Sequence, residues 1–306
     1  MRRRLLTRLL AWGATVLLVH AAAFLLMRAT RGGPFDEERA LDPAVRASLE
    51  EAWGLQGSWL EQYGRSLAGL LRLDFGPSLR YRGLAVRDLL AQALPLSLAL
   101  GGLALLVALV LGLPAGLAAA AQRGRLPDRL LRLLSSLTLA LPGFVLAGLG
   151  ILLFSFHLGW LPPATAGGLR HLILPALSLG LPVAAQVARL SRQAAAEVLD
   201  SESVQAARAR GVSGFLLLRR HVLPRASLPV VAFLGPAAAG LLTGSLVIEQ
   251  VFALPGLGAF FVQGALNRDY PLVLGATVVY TALLGALSLA ADLLLARLDP
   301  RVRSLG

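Results

Sequence analysis

A chain of 306 residues that is 56% hydrophobic and 15% charged, with a mean hydropathy of +0.70, is too apolar for a soluble domain, in which roughly 25% of residues are charged. The chain has no cysteine, which excludes disulfides and thiolate metal sites. Its net charge of +12 comes from arginines scattered at the ends of apolar segments, whereas nucleic-acid binding needs a basic patch on a soluble face. We therefore predict an all-α membrane protein that contacts lipid and binds no nucleic acid.

The N-terminal third is predicted to hold one membrane span and a polar region. Residues 9–27 carry no charge and are long enough to cross a bilayer at about 1.5 Å per residue. This apolar run exceeds the roughly 7–15 residues of a signal peptide, so we expect an uncleaved span. In the polar region that follows, Asp42-Pro43 predicts one short helix. Ser58 and Glu61 form a capping box that predicts another. Residues 1–93 are accordingly read as a first span with an extracytoplasmic region, and residues 94–306 as a five-span core.

Five further apolar stretches complete a six-span prediction. They lie at residues 89–122, 133–156, 171–188, 226–248 and 270–291. Gly112 and Gly116 in the second span favour close helix packing. Leu141-Pro142-Gly143 is expected to break the third span, and the fourth is expected to be shorter than the others.

A polar helix is predicted between the fourth and fifth spans. Asp200 or Ser201 is placed to cap its first N–H groups, and Glu202 adds negative charge to its first turn. Arg208 and Arg210 fall in the last turn, where the helix dipole favours cations.

The end and one face of this polar helix suggest that it is a docking element for another protein. Gly211 can adopt a left-handed conformation and stop the helix. Ala206 and Ala207 are expected to leave one face nearly flat, so that another protein can approach the backbone closely. An ordinary amphipathic connector between two spans would carry the same features, and the local pattern does not separate the two interpretations.

The distribution of arginine orients the six-span arrangement. On the side that contains both termini, 18 arginines accompany 5 carboxylates, whereas the opposite side carries 11 of each. Because cytoplasmic loops are enriched in basic residues, this asymmetry places both termini and the polar helix in the cytoplasm.

Several motifs then resemble one family of membrane proteins. Gln205-Ala206-Ala207, Gly211, His221 and Pro224 are spaced as in the EAA loop of binding-protein-dependent ABC transporter permeases. Other matching segments are Asp74-Phe-Gly-Pro-Ser78, Leu158-Gly-Trp-Leu-Pro162, His171-Leu-Ile-Leu-Pro175, Glu249-Gln-Val-Phe-Ala-Leu-Pro-Gly-Leu-Gly258 and Asn267-Arg-Asp-Tyr-Pro271. Together they resemble the dipeptide, oligopeptide and nickel importer branch, first-permease type, over nearly the whole chain.

The chain departs from the family pattern at three positions. Gln205 replaces the glutamate of the motif and His221 replaces its isoleucine, both of which this branch often varies. Ser203 stands where an aromatic residue is expected in this branch.

The resemblance implies a type I importer permease of MetI-like fold with six transmembrane helices in the bacterial inner membrane. In that family, a coupling loop, here residues 199–225, docks on a cytoplasmic ATPase. The residues carried over to the coupling loop are Glu202, Gln205, Ala206, Ala207, Arg208, Arg210, Gly211, His221 and Pro224. The residues carried over to the extracytoplasmic motifs are Glu249, Pro255, Gly256, Gly258, Arg268 and Asp269.

The resemblance also implies partners and an energy source. It implies a second, similar permease chain in a heterodimer, two ATP-binding subunits and an extracytoplasmic solute-binding protein. The chain has no phosphate-binding loop and no lysine to build one. We therefore expect no catalysis, cofactor or metal on this chain, with ATP and magnesium on the partner ATPases. The expected cargo is a dipeptide or oligopeptide, with nickel or another solute as the alternative.

Two other classes of protein are alternatives to a permease. A membrane-embedded hydrolase would draw on Ser155, Ser178, His157 and His171. None of these lies in a Gly-x-Ser-x-Gly elbow. An ion-driven secondary transporter usually carries ionisable residues inside its spans, where only Asp292 and the edge residue Glu249 come close.

Overall fold

The computed structural model describes residues 2–29, 57–81, 83–163 and 167–298, and within these it is helical. In chain order the helices are α1 (Arg2–Ala29), α2 (Trp59–Leu71), α3 (Val86–Ala121), α4 (Leu126–Ala140), α5 (Gly143–His157), α6 (Arg170–Leu199), α7 (Glu202–Ala209), α8 (Gly214–Ala226), α9 (Leu228–Val251), α10 (Leu257–Leu266) and α11 (Tyr270–Leu298). The last turns of α5 and the middle of α8 are π-helical, at Ile151–His157 and Leu218–Val222. The helix predicted at Asp42-Pro43 lies outside the described residues.

Four of these helices are long and apolar enough to cross a membrane. They are α1, α3, α6 and α11. Two bent pairs bring the number to six: α4 with α5, and α8 with the first part of α9. The described residues therefore hold four to six candidate spans, and they reach the predicted six when each bent pair is counted as one span.

The predicted break in the third span is confirmed at Leu141-Pro142-Gly143, where α4 and α5 meet at 103°. Pro142 takes an extended ψ of 144° and serves as the N-cap of α5, so the helix cannot continue through it. The two halves are nearly perpendicular rather than parts of one kinked rod.

The described residues form two compact units, one of which comprises Leu98–Leu254 and the segment that starts at Ala286. Helix α6 is central in this unit and packs against α4, α5 and α9. The prediction of a short fourth span is wrong, because α6 continues for 30 residues through Pro175 and Pro182 to Leu199. Its packing on several neighbours stabilises it despite the backbone hydrogen bonds that the prolines remove.

Glycines allow α3 and α6 to approach closely. A Cβ atom on Gly112 would lie 2.5 Å from the carbonyl oxygen of Ala184, and one on Gly180 would lie 2.6 Å from that of Ala104. Gly116 faces Ala188 and Ser191 at similarly close range. The packing role predicted for Gly112 and Gly116 is therefore confirmed, with α6 as the partner.

The other unit comprises Arg2–Ser97 and Pro255–Gly285. Here α2 begins at the predicted capping box, since Ser58 Oγ accepts from the Glu61 amide and Glu61 Oε2 accepts from the Ser58 amide. Helix α2 packs on α1, where His20 and Ser66 share a hydrogen bond of 2.9 Å and the rings of His20 and Tyr63 are 5.5 Å apart.

Candidate functional site

The polar helix between the fourth and fifth spans is α7, and glycine ends it as predicted. Gly211 has φ +84°, donates its amide to Arg208 O, and is followed by a Val212 amide that donates to Ala207 O. This pair of bonds is a Schellman motif, which satisfies the last carbonyl groups of the helix. Arg208 lies in the last turn, and Arg210 is the C-cap residue.

The start of α7 differs from the prediction in one detail. Ser201 is the N-cap residue, with an extended backbone, but its side chain caps no N–H group of the helix. Ser201 Oγ instead donates to Val198 O at 2.6 Å, and Gln205 Nε2 donates to Asp200 O at 3.2 Å. The hydroxyl therefore ties α7 to the end of α6 rather than capping α7, because the carbonyl of Val198 is within its reach.

A small apolar core fixes α7 to the rest of its unit. Val204 and Ala207 are fully buried, one turn apart on the same face. They belong to a cluster with residues of α3, α6 and α8, namely Ala120, Ala194, Ala195, Leu217, Val222 and Ala226. We call this cluster the α7 seat. Since small side chains fill most of it, the backbones of these helices lie close together.

The prediction that Ala206 and Ala207 together form an accessible flat face is wrong for Ala207, which lies in the α7 seat. Ala207 points inward and is unavailable to another protein, whereas Ala206 is exposed. The exposed residues of α7 are Glu202, Ser203, Gln205, Ala206, Arg208 and Ala209, followed by Arg210 and Gly211. The free face is therefore mostly polar, with Glu202 near its start, Arg208 and Arg210 near its end, and Ala206 near its centre.

Ser203 joins α7 to the fifth span. Its hydroxyl accepts from Arg225 Nη1 at 2.6 Å and lies 3.1 Å from Ser201 Oγ. The position at which the family pattern expects an aromatic residue is thus used for an internal contact. His221, in the π-helical turn, is half-buried, whereas Pro224 is exposed.

A groove runs beside α7 on the same unit. It has a volume of about 800 Å³ and is lined by residues that include Leu199, Arg208, Gly211 and Phe215. Phe215 is 76% exposed and its neighbour Leu216 is 54% exposed. An apolar patch therefore borders the polar face of α7, and sequence reasoning did not single it out.

An ion pair that sequence reasoning also missed holds the loop between α3 and α4. Asp128 is fully buried, accepts from Arg192 Nε, and accepts from Arg192 Nη2 at 3.1 Å and the Gly124 amide at 2.9 Å. Arg123 pairs with Asp200 at 3.2 Å, next to the start of α7. The residues of these two ion pairs are 64 and 77 positions apart in the chain, so no local sequence pattern predicts the pairing.

The other unit brings together two of the matching segments. Asp269 is fully buried and accepts from the Ser78 hydroxyl, from the Arg80 amide at 3.1 Å and from the Leu272 amide at 3.2 Å. The segments Asp74–Ser78 and Asn267–Pro271, nearly 200 residues apart in sequence, thus meet at one carboxylate. Arg268, next to it, has φ +52° and ends α10 in another Schellman motif.

The remaining predicted residues lie around α9 and α10. Glu249 is fully buried near the end of α9, and its carbonyl oxygen accepts from the Leu254 amide at 2.8 Å. Gly256 is the N-cap residue of α10, Pro255 before it is exposed, and Gly258 is buried. These positions shape the ends of helices.

One of the four hydrolase candidates, Ser178, makes a hydrogen bond within its own helix. Ser178 Oγ donates to Leu174 O at 2.9 Å within α6, so its hydroxyl proton is directed to the backbone. Among the residues that the structure describes, no group of three or more His, Asp or Glu side chains is arranged to hold a metal ion.

These features define a multi-pass helical membrane protein with a seated polar helix between two spans. The model of the family described as "binding-protein-dependent transport system inner membrane component" matches residues 112–304. The chain belongs to this family, which is a family of transport permeases.

Relatives match over almost their whole length. The oligopeptide transport system permease protein OppB of Haemophilus influenzae is 41% identical over 298 residues, covering 97% of each chain. The protein of the same name from Escherichia coli K12 is 39% identical, covering 99% of this chain and 100% of the relative. The dipeptide transport system permease protein DppB of Bacillus subtilis is 37% identical, covering 99% of this chain and 98% of the relative.

Proposed function

We propose that this chain is the membrane-spanning permease subunit of an ATP-driven ABC importer for dipeptides or oligopeptides. The peptide cargo is supported by the similarity to an oligopeptide transport permease, which is 41% identical, and to a dipeptide transport permease, which is 37% identical. The partners we propose are a second permease chain, two cytoplasmic ATP-binding subunits and an extracytoplasmic solute-binding protein.

The observation that carries the proposal is the seating of α7. An element that receives a push from another protein must be fixed firmly to the helices that it moves and must leave a face free. Val204 and Ala207 supply the fixed side, and Glu202, Gln205 and Ala206 lie on the free side. We assign to α7 the role of contacting an ATPase and passing its movement to the spans.

In the proposed complex, ATP and magnesium bind to the ATPase subunits, and this chain holds no cofactor. The inner membrane of a bacterium is the proposed location, with both termini and α7 on the cytoplasmic side, supported by the excess of arginine on that side.

Gly211 offers a direct test. Valine at φ +84° strains the backbone by about 1–2 kcal/mol and disfavours the Schellman motif that ends α7, whereas asparagine tolerates this conformation. In proteoliposomes that contain the full complex and its binding protein, Gly211→Val lowers ATP-driven uptake of a labelled dipeptide or hexapeptide about tenfold or more. Gly211→Asn retains most of it.

The same preparation separates the rival functions. Uptake at full rate by this chain without ATPase subunits, or uptake driven by a proton or sodium gradient, would contradict the proposal. Uptake of nickel ions but not of either peptide would assign the nickel alternative. Equal uptake by the valine and asparagine variants would remove α7 from the coupling route.

A further inference from the structure

A cavity that none of the matching motifs explains lies among α5, α6 and α9, within the unit that contains Leu98–Leu254. Its volume is about 380 Å³. The start of α5 contributes Phe144 to its wall, and α9 contributes Phe233. The polar side chains of the wall are Ser178 and Gln186, both from α6. Apolar walls with a few polar groups are typical of sites that bind small molecules.

Gln186 lies where a polar side chain is costly. It is near the middle of α6, about 24 Å along the helix from Arg170 and about 20 Å from Leu199, at about 1.5 Å per residue. Gln186 is exposed, and none of the residues that the structure describes hydrogen-bonds its carboxamide. A primary amide that faces acyl chains loses the hydrogen bonds it makes in water. The side chain therefore requires a hydrogen-bonding environment other than lipid.

The polar surface continues from Gln186 along one face of α6. Arg189, Gln193 and Glu197 are exposed as well, and successive members of this series are three or four residues apart. Val187, between the first two, is fully buried. Ionisable side chains on a membrane span face a water-filled cavity or another protein rather than lipid. This face therefore leads from the cavity toward α7, as a route for a polar cargo would.

Two prolines in the wall add hydrogen-bond acceptors. Pro182 of α6 and Pro236 of α9 line the cavity, and proline has no N–H group. The carbonyl oxygens of Ser178 and Ala232, four residues earlier, therefore lack the donor that a helix normally provides at these positions. The Ser178 hydroxyl donates elsewhere, to Leu174 O at 2.9 Å. The wall thus suits a cargo that donates N–H groups.

We propose that Gln186 contacts the main chain of the peptide cargo in this cavity during transport, an inference that rests on the function proposed above. A carboxamide carries the donor and acceptor groups of a peptide bond, so it pairs with a main-chain amide whatever the side chains of the cargo are. Phe144 and Phe233 offer apolar surface to those side chains. The contact suits a path shared by peptides of different sequence.

A helix of the second permease chain is the other candidate occupant. Helix contacts in membranes are built from small side chains that let the backbones approach closely. The wall here exposes Phe144 by 54% and Val247 by 50% around an open volume. The cavity therefore favours a passing cargo over a packed helix.

Photo-crosslinking from the cargo tests the location. A tripeptide that carries a photoactivatable leucine is delivered by the binding protein to the full complex in proteoliposomes, and the crosslinked segments are mapped by mass spectrometry during ATP turnover. Label is expected on residues 143–144 and 178–186 of this chain. The unaltered protein is used, so the result does not depend on the folding of a variant. Label confined to other segments would overturn the proposal.

Substitution of Gln186 tests the hydrogen bonds. Gln186→Leu keeps a similar volume without the amide, and it lowers the peptide taken up per ATP hydrolysed about fivefold, as expected for the loss of a neutral hydrogen bond. The reduction is the same for trialanine and triserine, because the contact is with the main chain. Gln186→Asn, which keeps the carboxamide, retains more of the uptake. Gln122→Leu, at an exposed glutamine of the same unit outside the cavity, leaves uptake unchanged.

The remaining outcomes contradict the proposal in distinguishable ways. A reduction for one of the two peptides alone would overturn a contact with the main chain. Unchanged uptake by Gln186→Leu would remove Gln186 from the path of the cargo. Loss of the second permease chain from the purified Gln186→Leu complex would assign Gln186 to a contact between subunits instead. No ATP-driven uptake of either peptide by the unaltered complex would refute the function proposed above, and this inference with it.

Discussion

The packing of α3 on α6 makes Gly112→Ala a sharp perturbation. The new Cβ would lie 2.5 Å from Ala184 O and 2.9 Å from Val187 Cβ, whereas ordinary contact begins at 3.4 Å. One of these atoms is backbone, so relief requires the two helices to move apart by nearly an ångström. Overpacking of this kind costs about 1–3 kcal/mol.

The same substitution at Gly102 is the matched control. Gly102 lies on α3 as well, but a Cβ there meets no atom within 4 Å. Both variants gain the helix propensity of alanine, worth about 1 kcal/mol in an aqueous helix. The difference between them therefore isolates the helix contact.

Thermal unfolding in nanodiscs measures the difference. We expect Gly112→Ala to unfold a few degrees below Gly102→Ala, since about 1 kcal/mol shifts the midpoint by roughly 2–4 °C in a domain of about 150–250 residues and by less in a longer chain. Equal midpoints would show that α3 and α6 separate without cost, and would refute the claim that glycine sets their distance.

Three further predictions concern helix ends and buried charges. Ala253 ends α9 with φ +50°, so Ala253→Gly raises the free energy of unfolding by about 1 kcal/mol, whereas Ala232→Gly within α9 lowers it by a similar amount, both read from denaturation curves. Asp269→Asn places amide hydrogens where the Ser78 hydroxyl and the Arg80 amide donate, and this lowers the free energy of unfolding by about 1–3 kcal/mol. Adding Ser78→Ala to this variant lowers it little further if the contact is already lost. Asp128→Leu leaves the Arg192 guanidinium group without this carboxylate and lowers the unfolding midpoint. Adding Arg192→Met to this variant restores part of the midpoint. No recovery in the double variant would count against a stabilising ion pair between Asp128 and Arg192.

Local signals in the sequence were sufficient for several elements. The capping box at Ser58 and Glu61, the stop at Gly211 and the break at Pro142 each depend on the chemistry of a few adjacent residues, and each was predicted correctly. Span positions followed from long uncharged stretches, which need no knowledge of neighbours.

Features that depend on distant neighbours were missed or misjudged. Ala206 and Ala207 were predicted to form one flat face together, but Ala207 is buried, and Val204 three residues earlier marks the buried side of a 3.6-residue period. That spacing was available in the sequence. The pair of Asp128 and Arg192 was not, because nothing local links positions 64 residues apart. The continuation of α6 past Pro175 and Pro182 was also missed, because it depends on packing against α4, α5 and α9 and not on the residues beside the prolines.

The positions of contacts around α7 also indicate how a push on it would travel. In the α7 seat, α7 shares an apolar core with Ala195 of α6 and Ala120 of α3. The contacts at Gly112, Gly116 and Gly180 hold α3 and α6 in close backbone contact. Helix α8 rests on the same core but meets α9 at a bend of 52° beside Ser227. A bend can open or close with small changes of a few dihedral angles, whereas a glycine-packed pair cannot shift without separating. We therefore expect α3 and α6 to move as one block and the bend at Ser227 to absorb the change of angle.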